Sequence, residues 1–447
     1  MLTRLVVHAP GRRLDVAFPA HVPVVSVLPV LLRRAGDDLA DGGLNHDGWV
    51  LRRGDGAVLD PSATFAGQQV RDGEALFLVP RRLDWPEADY DDIVDAIAEG
   101  AQRRGRRWSG TDTRVAGLAA AGIALASALA ELLRDGPPWG TVAVVAGVVA
   151  VVLLGAGAVL ARAVADAATG AVVAAFGLPF AFVAGLVVLA EEALGRLGAP
   201  HVLLGSALAA GAAVLGYAAT AAYGRVFVAG ASAGASGVAG GLVALFPLGA
   251  VEVAALLAGV LLLASPMLPA LAVRLGRIPL PELPRTPDDL VADRPLPDRR
   301  TVTAATVRAD EALTGLLLGT TGVTAACLVI LAVTRDLSAV LLAGAVSVSL
   351  LLRGRFYVGL RHRVPLLVAG TVGLVAVGEF ALERPALPAY LAIAAVGVAA
   401  GLAYSRRPVS PRLGRLADVF DVLLTLAVVP LACAVLGLFG VMRGFFG

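Results

Sequence analysis

Two hydrophobic periods divide the chain. Up to about residue 80, apolar and polar side chains alternate in short runs; from residue 115 onward, long apolar stretches follow one another with mostly short polar loops between them. In the first part, Thr3–His8 is a β-rich run, Leu14–Phe18 carries the two-residue period of strands, and Pro10-Gly11 between them is a turn signal, which predicts a hairpin. Val24, Val27, Leu28, Leu31 and Leu32 then recur at helical spacing behind Pro23, whose missing N–H is harmless in a first turn. Gly36-Asp37 stops that helix. Trp49-Val50-Leu51, Val58-Leu59 and Ala75–Val79 read as strands, introduced by the turns Gly54-Asp55-Gly56 and Asp72-Gly73.

In the second part the apolar stretches have the length that crosses a bilayer, roughly 17–25 residues. They fall near 115–133, 141–160, 168–190, 201–222, 226–246, 248–273, 312–333, 337–352, 365–382, 387–404 and 416–441, an expectation of eleven transmembrane helices. The arginines orient them. The chain has no Lys, and its arginines concentrate in every second loop: Arg162, Arg225, then seven from Arg274 to Arg308, four from Arg353 to Arg363, and four from Arg406 to Arg415. The intervening loops carry only Arg134, Arg196, Arg335, Arg384 and Arg443, one each. Because Lys/Arg-rich loops stay on the cytoplasmic side, the expected topology has a cytoplasmic N-terminus and an external C-terminus. Composition agrees: 57% hydrophobic and 16% charged residues, with a mean hydropathy of +0.80, far from a soluble domain that is about a quarter charged.

The order hairpin, helix, short strands and closing strand over residues 1–80 resembles ubiquitin, an α+β β-grasp. A modifier of that family acts through a free C-terminal di-glycine, and here the last strand runs on into Pro80-Arg81-Arg82-Leu83, in a chain without lysine. Conjugation is thereby excluded, and the domain reads either as a docking module or as a partnerless cover. For docking, Trp49, Arg52 and Arg53 are the candidate contacts, a strand whose charge suits an acidic partner surface. Residues 81–114 form a charged linker that changes sign midway. An acidic stretch from Asp84 to Glu99, with Ile93, Val94 and Ile97 as an apolar stripe, precedes Arg103, Arg104, Arg106, Arg107 and Trp108. That basic cluster, just before the first span, is a candidate contact for anionic lipid headgroups, at about 1 kcal/mol per basic side chain near the surface; it is equally an ordinary topology signal.

Within residues 115–447, the segment 274–311 stands out. Its prolines at 279, 281, 284, 287, 295 and 297 predict an extended cytoplasmic strap that divides the spans into six and five. In the fifth span, Gly230, Gly234, Gly237 and Gly241 form consecutive GxxxG patterns that let helix backbones approach closely, within one protomer or between two. Ionisable groups in spans are costly and mark function, but here Glu131, Glu252, Glu379, Asp418 and Asp421 all fall near span ends, within reach of an interface or a helix terminus. No histidines have metal-ligand spacing, and phosphate loop, nucleophile elbow and HExxH are missing, so no catalytic, cofactor or metal residues are expected. Cys327 and Cys433 lie in apolar runs and exclude a disulfide scaffold. The net charge of +2 gives no reason to expect nucleic acid, and the first apolar stretch, Leu5 to Ala9, is too short for a signal peptide.

A ubiquitin-like (YukD-like) domain, a charged linker and eleven spans in one chain resemble the EccD family of type VII (ESX) secretion systems of actinobacteria. The stretches that carry the resemblance are Trp49–Asp60, Val70–Leu78 and the Pro/Arg-rich loop after span 6. The resemblance implies a non-catalytic structural subunit of the inner-membrane secretion complex. It also implies homodimers around a lipid-filled space, association with EccB-, EccC- and EccE-like subunits, and docking of the EccC ATPase through the ubiquitin-like domain. The competing reading is a secondary transporter with an N-terminal regulatory domain, which calls for internal repeats and a polar midplane site.

Overall fold

A computed structural model describes residues 2–9, 12–36, 48–81, 109–279, 298–381, 387–406 and 411–439. The chain divides into two units, Met1–Trp108 and Ser109–Gly447. The Pro10-Gly11 turn, the acidic and basic halves of the linker, and most of the proline strap lie outside the described residues.

The first unit is a four-stranded sheet, β1 (Leu2–Ala9), β2 (Arg12–Pro19), β3 (Trp49–Arg53) and β4 (Glu74–Pro80), in the order β2-β1-β4-β3. β1 and β4 are parallel and the outer pairs antiparallel. Helix α1 (Val24–Ala35) buries Val24, Val27, Leu31 and Ala35, one stripe at helical spacing, against Leu5, Val7, Val16, Leu51, Leu76 and Leu78. Phe65, fully buried, fills the remaining space. The ubiquitin-like plan expected from the pattern is present, with one difference. Val58-Leu59 does not become a strand: only two residues separate Gly56 from Leu59, so Val58 makes a lone bridge to Arg52 while Leu59 drops into the core.

The second unit is helical. Among the described residues, ten helical spans are long and apolar enough to cross a membrane. They are α2 (Gly110–Arg134), α3 (Gly140–Arg162), α4 (Ala167–Val187), α5 (Ala199–Thr220), α6 (Gly224–Val243), the broken pair α7 (Ala250–Ala264) and α8 (Leu268–Gly276), α9 (Arg299–Val333), α10 (Leu337–Arg353), α11 (Leu360–Ala381) and α13 (Pro411–Val435). The helix α12 (Leu387–Arg406) stands where the remaining one of the eleven expected spans falls; its apolar stretch, Tyr390–Ala399, is shorter than the others.

The helix ends show why hydropathy alone misplaces boundaries. α2 begins five residues before the expected span, because Ser109 and Asp112 form a capping box: the Ser109 hydroxyl accepts from the Asp112 amide at 3.3 Å, and the Asp112 carboxylate accepts from the Ser109 amide at 2.9 Å. α9 departs furthest. Residues 299–311, expected as part of an extended strap, are its first three turns. Ala305, Ala309 and Ala312 form a small-residue stripe, and Gly276 of α8 packs so tightly that a Cβ there would lie 2.5 Å from that of Ala309. The charges Arg299, Arg300, Arg308, Asp310 and Glu311 end the apolar run without ending the helix. In span 6 the sequence places Pro266 and Pro269 in one apolar run, and the helix breaks there into a 3-10 turn, Ser265–Met267. Pro179 in α4, Pro365 in α11 and Pro430 in α13 are accommodated inside helices.

Candidate functional site

In the first unit the pleat decides which side chains are presented. Successive residues of a strand point to opposite faces, so Arg52 and Arg53 cannot share a surface. Trp49, Leu51 and Arg53 lie on the α1 side; Trp49 is only 8% exposed and belongs to the core. The Arg53 guanidinium lies 3.4 Å from Glu74 and donates to the Gln68 carbonyl. Arg52 lies on the open face, and the strand register places it opposite Phe77, which is opposite His8, which is opposite Arg13. The His8 and Phe77 rings stack at 5.1 Å, and Phe77 is 38% exposed. The open face of the sheet therefore carries a cross-strand row Arg13–His8–Phe77–Arg52. Of the three expected docking residues only Arg52 belongs to it; Trp49 and Arg53 serve the fold. A two-residue period applied to Leu51, Arg52 and Arg53 separates them from sequence alone, but His8 and Phe77 need the register.

In the second unit the four glycines of α6 face α5. A Cβ at Gly234 would stand 2.7 Å from the Ser206 carbonyl, one at Gly241 2.9 Å from the Leu203 Cβ, and one at Gly230 2.8 Å from Leu178 of α4; Gly237 abuts the Ser206 side chain. On the other side of α6, Gly315 and Gly319 of α9 lie against Arg225, Val228, Ala229 and Ser232. Small residues thus bring three helices within backbone contact inside one protomer, which is how helices associate where lipid offers no hydrophobic contrast.

The charges at one end of the bundle cap neighbouring helices. Arg162 donates to the Ala218 and Ala219 carbonyls at the C-terminus of α5, both at 2.9 Å. Glu311 accepts from the Gly224 amide at the N-terminus of α6 at 2.9 Å, and Arg308 donates to the Gly276 carbonyl at the end of α8 at 3.2 Å. Each sign suits its helix dipole. Arg114 pairs with Asp166 at 3.1 Å, and Thr169 hydrogen bonds hold that carboxyl below the usual range.

One pair is buried. Arg353 of α10 and Asp421 of α13 are each 7% exposed, with the guanidinium Nε 3.3 Å from both carboxylate oxygens. Ser349 donates to Asp421 as well. The remaining Arg353 donors reach the Leu262 carbonyl and the Ser265 hydroxyl, both at 2.5 Å, and the Thr425 hydroxyl at 2.7 Å. The bond to Leu262 has a cause in the sequence. Its carbonyl would take a helical hydrogen bond from residue 266, and Pro266 has no N–H; the Ser265 amide donates to it instead in a tighter turn, and its second lone pair is open to Arg353. Arg353 supplies a charged donor at the break in span 6. Asp421, placed by sequence near an interface, is instead sequestered here, while Asp418 pairs with the more exposed Arg355. Glu379 accepts from Tyr390, and Glu131 pairs with Arg134 at 2.9 Å. Glu252 sits in the first turn of α7. Among the described residues no three His, Cys, Asp or Glu side chains gather as a metal site. The headgroup candidates Arg103, Arg104, Arg106, Arg107 and Trp108 lie outside the described residues.

Among the described residues, the buried Arg353 and Asp421 satisfy each other within the bundle. Comparison with known proteins gives the same two halves. Residues 113–445 match the family model of the EccD-like transmembrane domain, and residues 2–78 match that of YukD, a protein of the WXG100 secretion system. The ESX-4 secretion system protein eccD4 of two Mycobacterium tuberculosis strains, CDC 1551 and H37Rv, is 28% identical over 466 aligned positions, covering 99% of this chain and 97% of the relative. Protomer 1 of the ESX-3 core complex superposes with a TM-score of 0.61 at 21% identity, over 99% of this chain and all of that one. A chain of the MycP5-free ESX-5 inner membrane complex gives 0.56 at 22%, over 91% of this chain and all of that one; both likenesses concern the fold. With its transmembrane region matched along nearly its whole length, this multi-pass membrane protein belongs to the EccD family.

Proposed function

We propose that the chain is a structural, non-catalytic membrane subunit of a type VII (ESX) secretion complex, a homodimer that docks the cytoplasmic EccC-like ATPase through its ubiquitin-like unit and associates with EccB- and EccE-like subunits. The carrying observation is the joint presence of the two family-matched halves along one chain. The internal geometry supports it: among the described residues, the buried Arg353 and Asp421 pair with each other inside the protomer, as suits a scaffold, and a transporter needs a polar site left open to substrate. The arginine asymmetry orients the N-terminal unit to the cytoplasm, where an ATPase is accessible, and the C-terminus to the outside.

Deleting residues 1–80 tests the docking role. The deleted chain keeps the basic cluster before span 1, so it inserts at normal level while secretion stops. Normal secretion by the deletion variant at matched protein level would refute the role. Orientation is checked independently: a reporter active only in the cytoplasm works when fused after Arg300 or Arg361 and is silent after Arg335 or Arg384.

A further inference from the structure

The sheet of the first unit buries one face against α1 and leaves the other without a helix. Arg4, Arg13 and Arg52 bring guanidinium groups to this second face, against one strand carboxylate, Asp15, which lies 3.5 Å from Arg13. Between the cations the floor is low and apolar. Val6, Ala17 and Ala75 form it, and a hollow of about 350 Å³ lies at the Arg4 end. The chain leaves β4 at the opposite end. There the Arg81 amide donates to the Gly48 carbonyl at 3.0 Å, which sets the first residue after β4 beside the start of β3. Near this exit Val50 is only 6% exposed, although it points away from Leu51 and stands outside the core cluster. Farther along the same face Ala17, Ala75 and Phe77 are exposed.

We propose that the acidic half of the chain's own linker, residues 84–99, docks on this face, its carboxylates against Arg4, Arg13 and Arg52 and its apolar side chains over the floor between them. That segment lies outside the described residues, and its sequence, length and starting point carry the assignment. It holds seven carboxylates and no arginine, with Ile93, Val94 and Ile97 as its apolar stripe. Both sign and apolar content thus complement the face. Reach is sufficient. From Arg81 back to Gly73, which the register sets beside Arg4, is about 26 Å at 3.3 Å per residue. Residues 82–99 cover about 27 Å even at the 1.5 Å per residue of a helix. A segment tethered at the edge of the face also meets it at a high effective concentration. The consequence for docking rests on the role proposed above: an acidic partner reaches Phe77 and Arg52 only by exchanging with the linker. The contact itself does not depend on that role.

The test uses the purified full chain in mild detergent, without any other subunit. Ala75→Cys on the face and Ala96→Cys in the linker are joined by a short bismaleimide, and the products are mapped by mass spectrometry. The native Cys327 and Cys433 lie in spans and are told apart by the mapping. Cross-linking within one chain should exceed several-fold that of Ala96→Cys with Val25→Cys, a position exposed on α1. Arg13→Glu with Arg52→Glu should lower it about fivefold, the order expected when exposed charge pairs are lost. Salt at about 1 M, which screens beyond about 3 Å, should act in the same direction. If the reversed face does not fold, Asp91→Asn with Asp92→Asn and Asp95→Asn leaves the sheet untouched and should lower cross-linking as well. Equal cross-linking to Ala75→Cys and Val25→Cys overturns the proposal. So does a product at twice the chain mass, which would put a second copy on the face, or cross-linking that neither charge variant reduces.

Discussion

The two units solve the problem of packing with opposite materials. In the ubiquitin-like unit the buried side chains are large: Leu5, Leu31, Leu51, Phe65, Leu76 and Leu78, with Val25, Val58 and Phe77 the only exposed large hydrophobics among its described residues. In the membrane unit many buried positions are Ala, Gly, Ser and Thr, while Val144, Val151, Leu215, Leu337 and Leu426 face outward. Water drives large apolar groups inside the first; lipid is as apolar as leucine and drives nothing, so the second is held by close backbone approach and by polar pairs. A buried charge in the first would be a liability. In the second, Arg353 and Asp421 join three spans.

The largest expected effect follows from that contrast. Replacing Asp421 by Ala leaves Arg353 buried without its counter-charge, at a cost of about 3–5 kcal/mol, seen as a large fall in melting temperature in detergent. The double variant Arg353→Met with Asp421→Leu recovers part of this; the Ser265 and Thr425 hydroxyls still lose their Arg353 partner. A single variant that melts like the wild type would show that the pair is not what joins α10 to α13.

Truncating a core side chain of the soluble unit should cost far more than truncating an outward-facing one of the membrane unit. Leu76→Ala in the isolated residues 1–81 costs about 2–5 kcal/mol by chemical denaturation, whereas Val151→Ala in the membrane unit, 69% exposed, stays within about 0.5 kcal/mol. Equal losses at both sites would erase the distinction. The reverse substitution sharpens it: Gly234→Val forces a side chain against the Ser206 carbonyl and α5, costing about 1–3 kcal/mol, read as earlier aggregation on heating. Last comes the partly exposed pair Arg355–Asp418, where Arg355→Ala changes stability by about 1 kcal/mol.

The same contrast explains what could be read from sequence. Strand alternation in residues 3–79 and the apolar runs beyond 115 are local periodicities, and they give both halves and their order. Boundaries failed where a local signal was overruled. Hydropathy ends span 7 at residue 312, but the stripe Ala305, Ala309 and Ala312 against Gly276 carries α9 back to Arg299. Of the sites, Gly230 to Gly241 were legible because GxxxG is a local pattern. The row Arg13–His8–Phe77–Arg52 was not, because it depends on the register of four strands; Trp49 shares the two-residue period of Leu51, so its place on the core side was legible locally. Arg353 with Asp421 joins residues 68 apart; its one local clue was Pro266, which breaks span 6 at the turn that Arg353 reaches.

The account centres on a scaffold that works in a secretion complex and not alone. The most direct measurement is purification of the full chain from its own host in mild detergent, followed by mass spectrometry and particle imaging. The prediction is a large assembly in which this chain recurs with a cytoplasmic ATPase and further membrane subunits, and from which the ATPase is lost when residues 1–80 are deleted. A lone, monodisperse protein free of any ATPase, from cells that are actively secreting, would contradict it.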